Sequence, residues 1–505
     1  MKKKIIGILI CMLLIATAIP ALGTLNNSMI PNVVSKSITQ SGSYLDFVEI
    51  QKLLASDGAA PDNFGYSVSL DGDTALIGAI GDDGNKGSAY VFIQTGTTWT
   101  QQAKLNASDG VAGDRFGKSV AVSGDTALIG AYKDDGKGSA YVFTRTGTTW
   151  TQQAKLFDSA GAAQDDFGKS VSLDGNYALI GAPQNGQPNI KGSAYIFNRA
   201  GTTWSQQAKL IVNTPEDTFG YSVSLHSDTA LIGDVLSRYV FVFTRTGTTW
   251  TLKTWLNAWD NPSKQRFFGA SVSFDGVTAL IGATQDDVNG AFSGSAYTWT
   301  WNGTSWNKQQ KFLAFDGAAN DQFGTSVSID GDTAFIGAPG DDSNKGSAYV
   351  YAFNGTAWTL QQKLLSSDGT AGDKFCESVS LGGDTALIGA DGDDGGKGSG
   401  YVFMALGEPA LDFNITGGLG VHMVITNNGT ANATDVEWEI HVKGGLFKLL
   451  DKTVNGTITI PMGEPQTVST GMFLGLGPFT ITARVAENEK TAEAVILLIF
   501  VYGIE

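Results

Sequence analysis

Apolar and polar positions along most of the chain follow one pattern of four short runs, repeated at a spacing near fifty residues. In the first copy run A, Phe64-Gly65-Tyr66-Ser67-Val68-Ser69-Leu70, alternates serines with apolar residues, the mark of a strand with two different faces. Run B, Ala75-Leu76-Ile77-Gly78-Ala79, is apolar and small throughout, as a strand buried on both faces requires. Run C is Gly87-Ser88-Ala89-Tyr90-Val91-Phe92. Run D sets Trp99, Gln101, Ala103 and Leu105 against Thr100, Gln102 and Lys104, which suits a partly exposed outer strand. Glycine-containing turns such as Asp71-Gly72 separate A from B as tight hairpins.

The leading phenylalanine recurs at Phe64, Phe116, Phe167, Phe219, Phe268, Phe323 and Phe375, at intervals of 52, 51, 52, 49, 55 and 52 residues. Seven copies of four β-rich runs predict an all-β fold, a seven-bladed β-propeller with each blade a four-stranded sheet between its neighbours. The last copy stops after Tyr401-Val402-Phe403, and the missing run D stands at the other end of the repeats as Phe47 to Leu53. Phe47 falls where the other copies have Trp99, Trp150, Trp204, Trp250, Trp306 and Trp358. If this N-terminal strand closes the last blade, no sheet edge stays open. The rival, an open solenoid, needs capping repeats, and none is visible.

The Phe-Gly start of run A and the Gly-Ala-Pro-like end of run B resemble the FG-GAP repeat of integrin α-subunit propellers and many microbial surface proteins. Phe-Gly is intact in six copies, with Cys376 in place of Gly in the seventh; Gly-Ala-Pro is complete at Gly181-Ala182-Pro183 and Gly337-Ala338-Pro339, and Gly233-Asp234 departs from Gly-Ala. The resemblance spans about residues 44 to 404 and implies an extracellular interaction domain. Integrin-type blades hold calcium in the A–B loop, but here that loop shrinks to Asp71-Gly72-Asp73 and its counterparts. Calcium takes six to eight oxygens, which a two-residue hairpin cannot supply, so the family's calcium sites are not carried over; no cofactor is expected, with calcium bound outside those loops as the alternative.

Composition sharpens the picture. Lys2, Lys3 and Lys4 precede the apolar run Ile5 to Ile19, and Ala21-Leu22-Gly23 offers small residues for cleavage, the pattern of a signal peptide over residues 1–23. A linker is expected over 24–43, the propeller over 44–404 and a second domain over 408–505. Cleavage would remove three of 33 basic residues and none of the 49 acids, deepening the net charge from −16 to −19. Such a chain repels nucleic acid and anionic lipid, and no membrane span is expected after cleavage. Cys11 lies in the signal, which leaves Cys376 without an internal partner.

Strand alternation puts B–C and D–A loops on one rim. Its B–C loops carry the acidic pairs Asp82-Asp83, Asp134-Asp135, Asp286-Asp287, Asp341-Asp342 and Asp393-Asp394, and its D–A loops carry Asp57, Asp109, Asp316 and Asp368. These acids read either as turn residues that accept backbone hydrogen bonds or as ligand contacts on rigid loops. The repeat tryptophans read as inter-blade packing or as sugar platforms. Trp255, Trp259, Trp299 and Trp301 break the repeat and are the candidates for a specific contact. The three histidines, His226, His422 and His441, are isolated, and no nucleophile–base or metal-ligand arrangement emerges.

From about Leu411 the pattern changes. Val436, Trp438, Ile440 and Val442 alternate with Glu437, Glu439 and His441, and further short runs span Val421 to Thr426, Thr457 to Ile460, Phe479 to Val485 and Ala494 to Tyr502. These predict an immunoglobulin-like β-sandwich. Asn26, Asn106, Asn302, Asn354, Asn414, Asn428, Asn432 and Asn455 open Asn-X-Ser/Thr patterns, which are glycosylation candidates on an exported surface. The chain thus reads as a secreted or cell-surface, non-catalytic adhesion protein that binds an extracellular protein or glycan on the propeller rim. The alternatives are a lectin-like sugar binder, a structural envelope component and a hydrolase using the acidic pairs.

Overall fold

The structure, a computed structural model, describes residues 46–183, 191–214, 218–258, 265–406, 411–418, 420–427, 433–444, 450–460, 465–470, 477–485 and 488–496. The expected signal and linker lie outside the described residues. One compact unit spans Tyr44–Leu406, and another holds the C-terminal residues from Gly407.

The first unit is built of seven four-stranded antiparallel sheets, the repeated-sheet architecture of a β-propeller. Six take their strands consecutively, within residues 64–105, 116–156, 170–210, 223–256, 265–312 and 327–364. In the first, the strands are A Phe64–Asp71, B Thr74–Ala79, C Ser88–Thr95 and D Thr98–Leu105. Every residue of B is buried, as its unbroken apolar run requires. The seventh sheet combines Ser378–Gly382, Thr385–Ala390 and Ser399–Leu406 with Asp46–Leu53 as its outer strand. Phe47 pairs with Ala405 and Leu53 with Gly400, so the first strand of the chain does complete the last sheet.

One contact repeats between neighbouring sheets and explains the motif. Gly65 has φ 90°, and a Cβ there would lie 2.2 Å from the Ser399 carbonyl oxygen; a Cβ on Gly78 would lie 2.2 Å from that of Gly117. The Phe-Gly of one sheet therefore lies backbone to backbone on the Gly-Ala of the sheet before it, a spacing only glycine permits. The serine three residues after the phenylalanine seals this contact. Ser67 Oγ donates to the Gly117 carbonyl at 2.8 Å, Ser119 to Gly168 at 2.9 Å and Ser170 to Gly220 at 2.9 Å. Ser222 then donates to Gly269 at 2.8 Å, Ser271 to Gly324 at 2.8 Å and Ser326 to Cys376 at 2.7 Å. Ser378 returns to Gly65 at 2.8 Å, which closes the cycle. The phenylalanines are fully buried beneath this seam, edge-on to the C-strand aromatics, as Phe64 is to Tyr90 at 5.4 Å.

Cys376 departs from the motif and adopts φ 69°, a conformation that disfavours side chains. Its sulfur sits over Gly337, 3.7 Å from Ser326 Oγ, in a fully buried pocket that pushes the thiol up to about 12. In the fifth sheet, strands A (Gln265–Phe274) and B (Thr278–Asp286) run longer, so Asp286 ends a strand and is buried rather than lying in a loop.

The C-terminal unit holds a three-stranded sheet, Leu411–Gly418, Gly420–Asn427 and Gln466–Ser469, and a four-stranded one in the order Leu450–Ile460, Ala433–Gly444, Gly477–Val485, Asn488–Ile496. Phe413, Met423 and Ile425 from the first share one core with Ile440, Val442, Ile460 and Ala483 from the second. The last expected run, Ala494 to Tyr502, lies only partly within the described residues; its described part belongs to Asn488–Ile496.

Two predictions follow from the closure and the thiol. Phe47 is buried and meets Phe335 edge-on at 4.8 Å, so Phe47→Ala should cost about 3–5 kcal/mol, read as a fall in the urea midpoint. Val48, 36% exposed on the same strand, should tolerate alanine with little change. Cys376 should resist iodoacetamide at about pH 8 in the folded chain and react fully once denatured.

Candidate functional site

The rim acids fall into clusters built on two strands, C and D, and two loops, B–C and D–A. Asp82 accepts a hydrogen bond from Ser88 Oγ, and Lys104 Nζ lies 2.6 Å from it. Lys104 also reaches Asp57 at 2.7 Å, and Tyr90 O–H donates to Asp57 at 2.9 Å. The same set recurs as Asp134, Ser139, Lys155, Asp109 and Tyr141 in the second sheet, and as Asp341, Ser347, Lys363, Asp316 and Tyr349 in the sixth. In the seventh, Asp393, Ser399, Asp368 and Tyr401 take their lysine, Lys52, from the closing strand. Asp286 meets Ser295 at 2.7 Å and Lys311 at 2.9 Å, and Asp158 meets Tyr195 at 2.6 Å and Lys209 at 3.3 Å. The Lys104 ammonium holds Asp57 below the usual carboxylate range. Partial burial would raise Asp109, Asp316 and Asp368, but their lysines and tyrosines outweigh it and hold them low.

Each acidic pair therefore splits. Asp82, Asp134, Asp341 and Asp393 are buried and spent on the cluster. Asp83, Asp135, Asp342 and Asp394 stand exposed, at φ 49°, 49°, 49° and 50°. Asp287 is half-exposed and accepts from the Phe292 amide at 2.9 Å. Asp62, Asp114, Asp165, Asp321 and Asp373 accept backbone hydrogen bonds from the residue three positions earlier, which pins the D–A loops. Among the described residues no group of three or more His, Cys, Asp or Glu is placed to hold a metal.

The fourth sheet lacks this cluster. Tyr239, Phe241 and Trp255 stand where the other sheets have the serine, tyrosine and lysine, and Asp234 instead accepts from Thr218 Oγ1 at 2.9 Å. Trp255 is 57% exposed and sits edge-on to Tyr239 at 6.3 Å. A second loss accompanies the first. Trp150, Trp204, Trp250 and Trp358 donate their indole N–H to Gln102, Gln153, Gln207 and Gln309 of the preceding sheet, at 2.9 to 3.1 Å. Before Trp306 that position is Lys253. Here a cavity of about 620 Å³ opens between the fourth and fifth sheets, lined by Trp255, Trp299, Trp301 and Trp306 among others. Three of the four tryptophans singled out in the sequence thus meet, with Trp299 buried and Trp301 half-buried 5.7 Å from Trp306. Trp259 lies outside the described residues.

Sequence reasoning missed a charged group at the middle of the ring. The residues two after the repeat phenylalanine converge there: Lys118 Nζ donates to the Tyr66 phenol Oη and lies 4.1 Å from its ring centroid, while Tyr221 and Glu377 approach from other sheets. Burial lowers Lys118 and Lys169 to about 8 and raises Glu377. Comparing that position across copies, Tyr66, Lys118, Lys169, Tyr221, Ala270, Thr325 and Glu377, would have exposed the group, since it is the most variable place in run A.

Asn302 Oδ1 accepts from the Thr304 and Ser305 amides at 3.0 and 2.8 Å, and Asn354 Oδ1 from those of Thr356 and Ala357 at 3.0 Å, so both serve their turns. Asn106 Nδ2 donates to Ser88 Oγ at 3.3 Å. Asn455 is exposed on Leu450–Ile460, Asn414 lies on Leu411–Gly418, and Asn26, Asn428 and Asn432 lie outside the described residues. His441 Nε2 is 2.6 Å from Asp451 Oδ1.

The FG-GAP repeat family matches residues 47–92, 99–143, 150–197, 250–299, 306–351 and 358–403. Each match runs from the D strand of one sheet to the C strand of the next, and the copy left between 197 and 250 is the divergent fourth sheet. No curated protein matches the chain. With more than half of its length matched, and the Phe-Gly and Gly-Ala segments packed on each other between successive sheets, the chain belongs to the FG-GAP repeat family.

Proposed function

We propose that the chain is an exported, non-catalytic interaction protein: a seven-bladed β-propeller that binds a partner on its B–C and D–A rim, followed by an immunoglobulin-like sandwich. The repeat family supports a propeller-type interaction domain. The strand order of the C-terminal unit, first, second and fifth in one sheet and fourth, third, sixth and seventh in the other, supports the sandwich assignment. Export rests on the charge and hydropathy pattern of residues 1–23, and a non-catalytic role on the sequence, in which no nucleophile–base arrangement emerges.

The observation that carries the reading is the division of labour within each acidic pair. A buried carboxylate, clamped by lysine and serine, fixes the turn, and the next carboxylate is held out to solvent on it. Asp83, Asp135, Asp342 and Asp394 are thereby repeated at like positions on one rim, a rigid acidic surface complementary to a basic partner.

Replacing these four by asparagine should leave melting unchanged and abolish salt-sensitive capture of a surface partner in a pull-down from envelope extract; equal capture by the variant would remove the rim from consideration. Because Asp57, Asp109, Asp316 and Asp368 titrate low in the folded chain, their contribution is complete above the ordinary aspartate range and is lost as pH falls through the depressed values. The stabilisation that these carboxylates supply, read for Asp57 as the melting-temperature difference between the parent chain and a Lys104→Met variant, should therefore hold from about pH 7 to about pH 5 and shrink only below about pH 4.

A further inference from the structure

We propose that the cavity between the fourth and fifth sheets is a binding site for an acidic saccharide, distinct from the four exposed rim aspartates. Its origin is a set of changes that act together. The run Thr251-Leu252-Lys253-Thr254-Trp255-Leu256 replaces Thr-Gln-Gln-Ala-Lys-Leu, deleting both the glutamine that braces the next tryptophan and the lysine that completes the acidic cluster. An opening of about 620 Å³ lies between the two sheets, within the size range of small-ligand pockets.

The lining chemistry selects the ligand. Trp255 and Trp301 offer indole faces that are 57% exposed and half-exposed, respectively. The negative face of an indole attracts the weakly positive C–H face of a pyranose ring. Thr244 and Thr254 add hydroxyls that both donate and accept, and Ser305 Oγ, which donates to Asn302 Oδ1 at 3.4 Å, keeps its acceptor capacity, a set that suits sugar hydroxyls. Among the described residues the lining contains no carboxylate, although the chain carries a net charge of −16. It contains the exposed ammonium of Lys253, which makes no ion pair among the described residues, and Lys308 Nζ stands 5.7 Å from the Trp299 ring. An anionic sugar is the ligand that uses both features.

The test titrates the full chain by calorimetry with a glucuronic-acid-containing tetrasaccharide and with a neutral glucose tetrasaccharide. The acidic probe should bind saturably and about tenfold more tightly than the neutral one. Trp255→Ala and Trp301→Ala should each weaken it about tenfold with unchanged melting, and Lys253→Gln should abolish the preference for the acid. No saturable binding, equal affinity for the two probes, or binding indifferent to Trp255→Ala would overturn the proposal. The fourfold rim variant should bind the acidic probe like the parent chain; loss of binding there would also overturn it, while the rim proposal stands or falls on protein capture alone.

Discussion

A serine hydroxyl on the innermost strand of each sheet reaches the carbonyl of the Phe-Gly segment in the next, and the whole arrangement depends on how close those two backbones come. A hydrogen bond of this kind is worth about 1 kcal/mol by itself. Its weight lies in repetition and in what it demands. A Cβ at Gly65 or Gly78 would meet a carbonyl oxygen at 2.2 Å, so the seam exists only where both partners are glycine or where, as at Cys376 over Gly337, one side leaves room. The phenylalanine beside the seam fills the space beneath it with buried aromatic surface.

Closure extends the same logic around the ring. Asp46–Leu53 supplies the seventh sheet with an outer strand, and it also brings Lys52, the cation that holds Asp368 and Asp393. One strand thus completes the backbone ladder, the core through Phe47 and the rim electrostatics together. The clusters put two carboxylates, a hydroxyl, a phenol and an ammonium within hydrogen-bond reach. In that setting Asp57, Asp109, Asp316 and Asp368 are held below the usual carboxylate range, and the loops that carry them stay fixed.

Against this regularity the fourth sheet stands apart. Exchanging a lysine for Trp255 and a glutamine for Lys253 converts a polar clamp and an indole brace into an aromatic-lined opening. A repeat scaffold can carry such a change in one sector because the seams on either side, Ser170 to Gly220 and Ser222 to Gly269, remain intact. Rigidity and a local departure from it are thereby separated in the same ring.

The repeated-sheet fold was legible in the sequence because strand periodicity, turn glycines and buried apolar runs are local properties that recur at Phe64, Phe116 and each later copy. Even the closing strand could be read, since a missing run D at one end and a spare one at the other leave one consistent pairing. The site was legible only in outline. Asp82 and Asp83 are identical residues side by side, and only the reach of Lys104 and Ser88 from other strands makes one a buried clamp and the other a solvent-facing group. Likewise Trp255 and Trp301 lie on different sheets, and the cavity they share depends on the absent brace at Lys253. Local pattern fixes which strands form; what a given carboxylate or indole does depends on groups from other strands, 6 and 22 residues from Asp82 for Ser88 and Lys104 and 48 residues from Trp150 for Gln102, brought within a few ångströms only when strands pair and sheets pack.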